Sequence, residues 1–175
     1  MKSSILRLFP AAMLLIPGLA AGAAGFAATP SLRAEDKRVI AAAAAENARA
    51  IGFLETLVNI NSGTMNLEGV KRVGELMRAQ FEPLGFKVRW VPMSAVGRAG
   101  NLVAEHAGTG HGKRMLLIGH MDTVFEQDSP FQKFTRVDPN TATGPGVIDV
   151  KGGDVVMVQA LKALNAAGWL ETRDL

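Results

Sequence analysis

Three residues of this chain have the types and spacing for metal-dependent hydrolysis: His120, Asp122 and Asp149. His120 closes the apolar run Met115-Leu116-Leu117-Ile118-Gly119, and Asp122 follows two positions later. Imidazole is a borderline ligand suited to zinc, and a strand end is a rigid place from which to present it. Metal-bound imidazoles usually give their other N–H to a carboxylate, and residues i and i+2 of a strand point the same way. Asp122 can therefore reach the ring of His120. A histidine simply hydrogen-bonded at a strand end is the alternative. Asp149 sits in Gly144-Pro145-Gly146-Val147-Ile148-Asp149-Val150-Lys151-Gly152-Gly153, a glycine-rich turn that opens into an apolar segment. Its glycines let the backbone approach another group closely, which suits a ligand. An Asp before a helix is also a candidate N-cap, and such a turn can cradle phosphate. Neither G-x-G-x-x-G nor G-x-x-x-x-G-K-[ST] occurs, which weighs against a nucleotide-binding module.

These residues need a scaffold, and 175 residues suffice for one domain with a substantial core. The first 27 residues read differently from the rest. Lys2 and Arg7 precede an apolar stretch from Leu8 to about Ala24, then Gly25-Phe26-Ala27, the pattern of a cleaved signal peptide. Pro10, Pro17 and the Gly/Ala content make a poor membrane span, so no stable anchor is expected. Without residues 1–27 the chain has 17 basic against 16 acidic residues, and the balance no longer suggests nucleic acid. There is no cysteine, hence no disulfide, thiolate ligand or lipid-modified cysteine. A periplasmic or secreted protein is expected.

After a linker over residues 28–35, the pattern predicts a helix from about Asp36 to Asn59, with Ile51, Leu54, Leu57 and Val58 as its apolar stripe. Asn61-Ser62-Gly63-Thr64 breaks it. A second helix is predicted from the cap Asn66 to Leu84, closed by Pro83 and Gly85. Phe86 to Val91 and Asn101 to Ala107 are strand candidates, and Met115 to Ile118 reads as a short buried strand. Residues 124–142 read as irregular. A last helix is predicted from Gly153 to Ala167, ended by Gly168. The class is α/β. His106 and His111 read as structural or solvated, Glu126 and Asp128 as part of a polar loop, and Lys151 as a charge at the surface or near the site.

The ordered pair Gly119-His120-Met121-Asp122-Thr123-Val124 and Gly144 to Gly153 resembles the zinc peptidase family of glutamate carboxypeptidase, acetylornithine deacetylase and succinyl-diaminopimelate desuccinylase. The segment from Leu54 to Val91, with Ser62, "NLEGV" and Leu84-Gly85-Phe86, is similar to the N-terminal part of that family. "GHMDTV" and "GPGVxDxKGG" point to its glutamate carboxypeptidase branch. The resemblance implies part of a zinc-exopeptidase-like, three-layer α/β/α catalytic domain over residues 36–175. It implies two zinc ions in the complete protein, with His120 binding one, Asp149 bridging both and Asp122 orienting His120. The bond Asp149–Val150 would be cis. The implied substrates are small peptides or N-acyl amino acids with a free carboxylate beside the scissile amide, and the complete protein would be a homodimer. The family's general-base glutamate, remaining zinc ligands and lid or dimerisation domain have no counterpart in these residues. The expected chain is thus an N-terminal portion of the enzyme, the alternative being a truncated, non-catalytic product.

Overall fold

Val70, Val73, Met77 and Phe81 recur at helical spacing, and they form the buried face of a helix spanning Leu67–Phe81. In the computed structural model, which describes residues 31–109, 113–172 and 175, this is the second of three helices. The expected signal peptide and His111 lie outside the described residues. The first helix, α1, spans Ala34–Val58, the second, α2, Leu67–Phe81, and the third, α3, Lys151–Ala166. α1 starts inside the expected linker because the Asp36 carboxylate accepts the Arg33 backbone N–H at 3.2 Å and anchors the first turn. Asn66 caps α2 as its residue type predicts, its side chain accepting from the Gly69 N–H at 3.2 Å. A 3₁₀ turn over Glu82–Leu84 follows, where Pro83 prevents another α-helical turn.

Four short strands accompany the helices. β1 (Lys87–Met93) and β2 (Arg98–Glu105) form an antiparallel hairpin with Trp90 opposite Leu102. The second strand is expected to start at Asn101, but β2 begins directly after Gly97, three residues earlier. The segment expected to be irregular contains a second antiparallel pair, β3 (Thr135–Asp138) and β4 (Thr141–Thr143). α1 packs on α3, and α2 packs on β2. Leu57, Val73, Phe81, Phe86, Val158 and Leu161 meet between these layers. At about 0.8 kcal/mol per buried methylene, this cluster is the main apolar source of stability. Helices and small antiparallel sheets together make an incomplete α/β domain. Among the described residues no helix is long and apolar enough to cross a membrane.

One strand expectation fails. Met115 to Ile118 runs without helix or strand, and no strand pairs with it among the described residues. Leu116 and Ile118 are each 81% exposed. An isolated extended run cannot satisfy its backbone or bury both faces; a buried strand needs neighbours on each side. Instead, a slot of about 340 Å³ lies beside the run, lined by α2, α3 and β2 side chains including Met77, Leu102 and Met157. The backbone groups of His106 and Leu175 bond each other at 2.8 and 2.9 Å at the edge of this region.

Exposed apolar groups of this size drive association. The chain over residues 28–175 is expected to self-associate and to bind a hydrophobic dye. Leu116→Ser with Ile118→Ser should reduce both. Sedimentation of the unsubstituted chain as a single monomeric species would count against this.

Candidate active site

The break after α1 organises the site, because its polar side chains bond to the segment that carries His120. The Ser62 hydroxyl donates to the Met121 carbonyl at 2.8 Å, and the Thr123 N–H donates to the Ser62 carbonyl at 2.8 Å. The Thr64 N–H donates to the Thr123 carbonyl at 3.0 Å. Gly63 and Thr123 thereby form a parallel bridge. Asn61 completes the clamp by donating to the Phe125 and Glu126 carbonyls. Ser62 is fully buried and Thr123 nearly so, which makes these bonds costly to lose.

The clamp positions the three residues that the sequence singled out. His120 and Asp149, 29 positions apart, meet with Nε2 and Oδ1 separated by 3.0 Å. Nδ1 of His120 lies 3.0 Å from the Asp122 main-chain carbonyl and 3.3 Å from the Asp122 carboxylate. The carboxylate of Asp122 is itself held, accepting the Thr64 hydroxyl at 2.6 Å. Partial burial opposes protonation of His120. The Asp149 hydrogen bond, the Asp122 carbonyl and the charges of both carboxylates outweigh it and raise its pKa above the ordinary value. The peptide bond between Asp149 and Val150 is cis. Asp149 does not cap α3: the residue at that position is Val150, with no side-chain bond to the helix.

The site opens into a cleft of about 340 Å³ walled by Thr64, Phe125, Phe131, Thr143 and Ile148 around His120 and Asp149. Asp149 is 82% exposed within it. Zinc accepts imidazole nitrogen and carboxylate oxygen at roughly 2.0–2.2 Å, so donors 3.0 Å apart can share one ion. These two fit as a pair. No group of three or more His, Cys, Asp or Glu side chains suited to a metal occurs among the described residues. Glu126, expected in a solvated loop, accepts the Met65 N–H at 3.0 Å and is structural. His106 stacks on Phe86 at 5.1 Å, away from the site.

Two buried charges escaped the sequence reading. Lys151 is completely buried, not at the surface, and its ammonium donates to the Leu57 and Ile60 carbonyls at 2.9 Å each. Burial lowers its pKa to about 8, against the opposing attraction of Asp154. Asp154 is 4% exposed, and its Oδ2 has no hydrogen-bond partner. Its other oxygen lies against Gly119, where a Cβ would overlap it. Burial pushes its pKa up to about 6, against the charges of His120 and Lys151. One signal was legible: Lys151, Asp154, Val155, Val158 and Leu161 share one helical stripe, so both charges fall on the buried face of α3. At the glycine turn, a Cβ at Gly146 would stand 3.0 Å from Cγ and Cδ of Lys151. The turn is filled by the lysine stem, with its ammonium directed inward.

The comparisons with known proteins meet at this site. Residues 116–175 match the model of Peptidase family M20/M25/M40. Over these residues the chain belongs to this peptidase family. It is 36% identical over 142 residues to carboxypeptidase G2 of Pseudomonas sp. (strain RS-16), a match covering 81% of this chain and 34% of that protein. The chain thus spans about a third of the length of that relative.

Asp154 gives a pH-dependent expectation. Its folded-state pKa of about 6 exceeds the ordinary 3.8, so the folded state retains a proton that the unfolded chain releases first. Its contribution to stability is therefore present below about pH 4 and is lost as pH rises to about 6. Asp154→Asn should raise the melting temperature at pH 7 by roughly 3 °C or more and leave it nearly unchanged at pH 4. An equal shift at both pH values in thermal melts would show that the carboxylate is not responsible.

Proposed function

We propose that the complete protein is an exported zinc carboxypeptidase or amidohydrolase, and that His120 and Asp149 are ligands of its metal centre. The observation that carries this reading is the convergence of His120 Nε2 and Asp149 Oδ1 to 3.0 Å at an open cleft. Family membership supports the reaction class, and the carboxypeptidase relative supports a peptide or N-acyl amino acid with a free carboxylate as substrate. The export reading rests on the pattern of residues 1–27.

His120 presents Nε2 to the cleft while Nδ1 is engaged by Asp122, which fixes the face of the ring offered to a metal. Asp122 does so through both its carbonyl and its carboxylate, and Thr64 fixes that carboxylate in turn. Asp149 offers one oxygen beside the imidazole and is exposed enough for its second oxygen to meet another ion, the bridging role implied for a two-zinc site. Zinc, when bound, supplies Lewis-acid polarisation of a carbonyl and acidification of water. Phe125, Phe131 and Ile148 line the cleft beside the donors. Two donors fall short of the three or four of a typical zinc site. The proposal therefore concerns the whole protein, with further ligands and a general base beyond those described.

In the complete protein, His120→Ala is expected to lower zinc content measured by atomic absorption and to reduce hydrolysis of an N-acyl glutamate by at least about 10³-fold. Chelation should abolish activity, and zinc should restore it. Near-normal activity of His120→Ala would sink the metal assignment. Thr64→Val, which frees the Asp122 carboxylate, should give a milder loss of roughly 10- to 100-fold.

A further inference from the structure

Lys151 is the one fully buried cation among the described residues, and nothing in the proposed chemistry uses it. Its position is unusual for a lysine, since burying an ammonium is unfavourable unless the charge is compensated. Here the compensation comes from α1. Leu57 lies in the last turn of that helix, where the helix dipole is negative, and its carbonyl also accepts the Ile60 N–H at 3.2 Å. The ammonium bonds the Leu57 carbonyl and, three residues on, the Ile60 carbonyl in the break. Its aliphatic stem fills the space left by Gly146.

We propose that Lys151 is a positioning residue for the metal donors: its ammonium fixes the turn carrying Asp149 to the break that clamps the His120 segment. The route is short at both ends. Asp149 precedes Lys151 by two residues, and the Gly152 N–H bonds back to the Gly146 carbonyl at 3.2 Å, closing the turn around the lysine stem. From Ile60, the chain continues into Asn61, which holds the Phe125 and Glu126 carbonyls, and into Ser62 and Thr64, which hold the Met121, Asp122 and Thr123 groups. Without the ammonium, the Ile60 carbonyl loses its lysine donor, the Leu57 carbonyl keeps only the Ile60 N–H, and the two halves of the site lose their shared anchor. The separation of His120 Nε2 from Asp149 Oδ1 is then no longer set by the interior. This inference rests on the metal-site reading above for its functional meaning, although the mechanical link can be measured without a metal.

The test compares Lys151→Met with Val158→Ala, a cavity-forming change on the same buried face of α3. Amide hydrogen exchange is followed by NMR at Thr64, Thr123 and Gly152, alongside core amides of α2, and zinc affinity is measured by chelator competition with zinc alone. Lys151→Met should accelerate exchange at those three amides about tenfold more than Val158→Ala does, relative to the α2 amides, and weaken zinc binding about tenfold. Uniform acceleration matching Val158→Ala overturns the proposal, as does a zinc affinity of the substituted complete protein equal to that of the unsubstituted complete protein. If the unsubstituted complete protein takes up no zinc while the selective acceleration is present, the metal-site reading fails and the mechanical link stands. Should Lys151→Met not fold, Lys151→Gln, which is neutral but retains a donor, replaces it under the same criteria.

Discussion

Near the end of α1, two main-chain carbonyls are bonded from across the fold by a buried lysine. The Lys151 ammonium enters the interior and takes the carbonyls of Leu57 and Ile60. Much else depends on this bond pair. It joins α1 to the start of α3, accounts for the glycine at position 146, and places the two segments that carry His120 and Asp149 side by side. The interaction combines opposites: burial pushes the amine's pKa down, while two carbonyls, the end of a helix dipole and nearby Asp154 favour the charge.

Around that anchor the polar residues of the break do the local work. Ser62 and Thr64 are buried or half-buried hydroxyls whose partners belong to residues 121–123, so the break is both the end of one helix and the floor of the cleft. Such short polar residues are common in turns because they bond neighbouring backbone. Here their partners lie about 60 positions away, and a local capping role becomes a tertiary one. The chain of contacts from Thr64 through Asp122 to His120 gives the imidazole a defined orientation before any ligand is considered.

The interior also contains an unbalanced element. Asp154 is held nearly out of water with one oxygen unpartnered, next to the backbone that leads into His120. The same region borders the slot beside Met115 to Ile118, where apolar side chains face outward. Side-chain burial is concentrated where α1, α2, α3 and the β1–β2 hairpin pack. It thins toward the run that precedes His120, and His120 is held from the side that follows it, through Met121 to Thr123.

Much of this protein was legible in its residues. Helical periodicity identified α1, α2 and α3 within a few positions, since an apolar stripe must face a core whatever the core's details. The types and order of His120, Asp122 and Asp149 pointed to metal chemistry and to the peptidase family that the comparisons support. The run from Met115 to Ile118 shows where such reading stops: composition says that a segment suits a buried strand, but neighbours decide whether it becomes one. Lys151 makes the same point in reverse. By residue type it belongs in solvent, and only the packing of α3 beneath the end of α1 supplies the carbonyls that make its burial possible. Sequence alone determined which groups are available and the periodicity of the elements that carry them. The tertiary structure alone decided which distant groups meet, because the pairings of Lys151 with Leu57, Thr64 with Asp122, and His120 with Asp149 join positions that no local pattern relates.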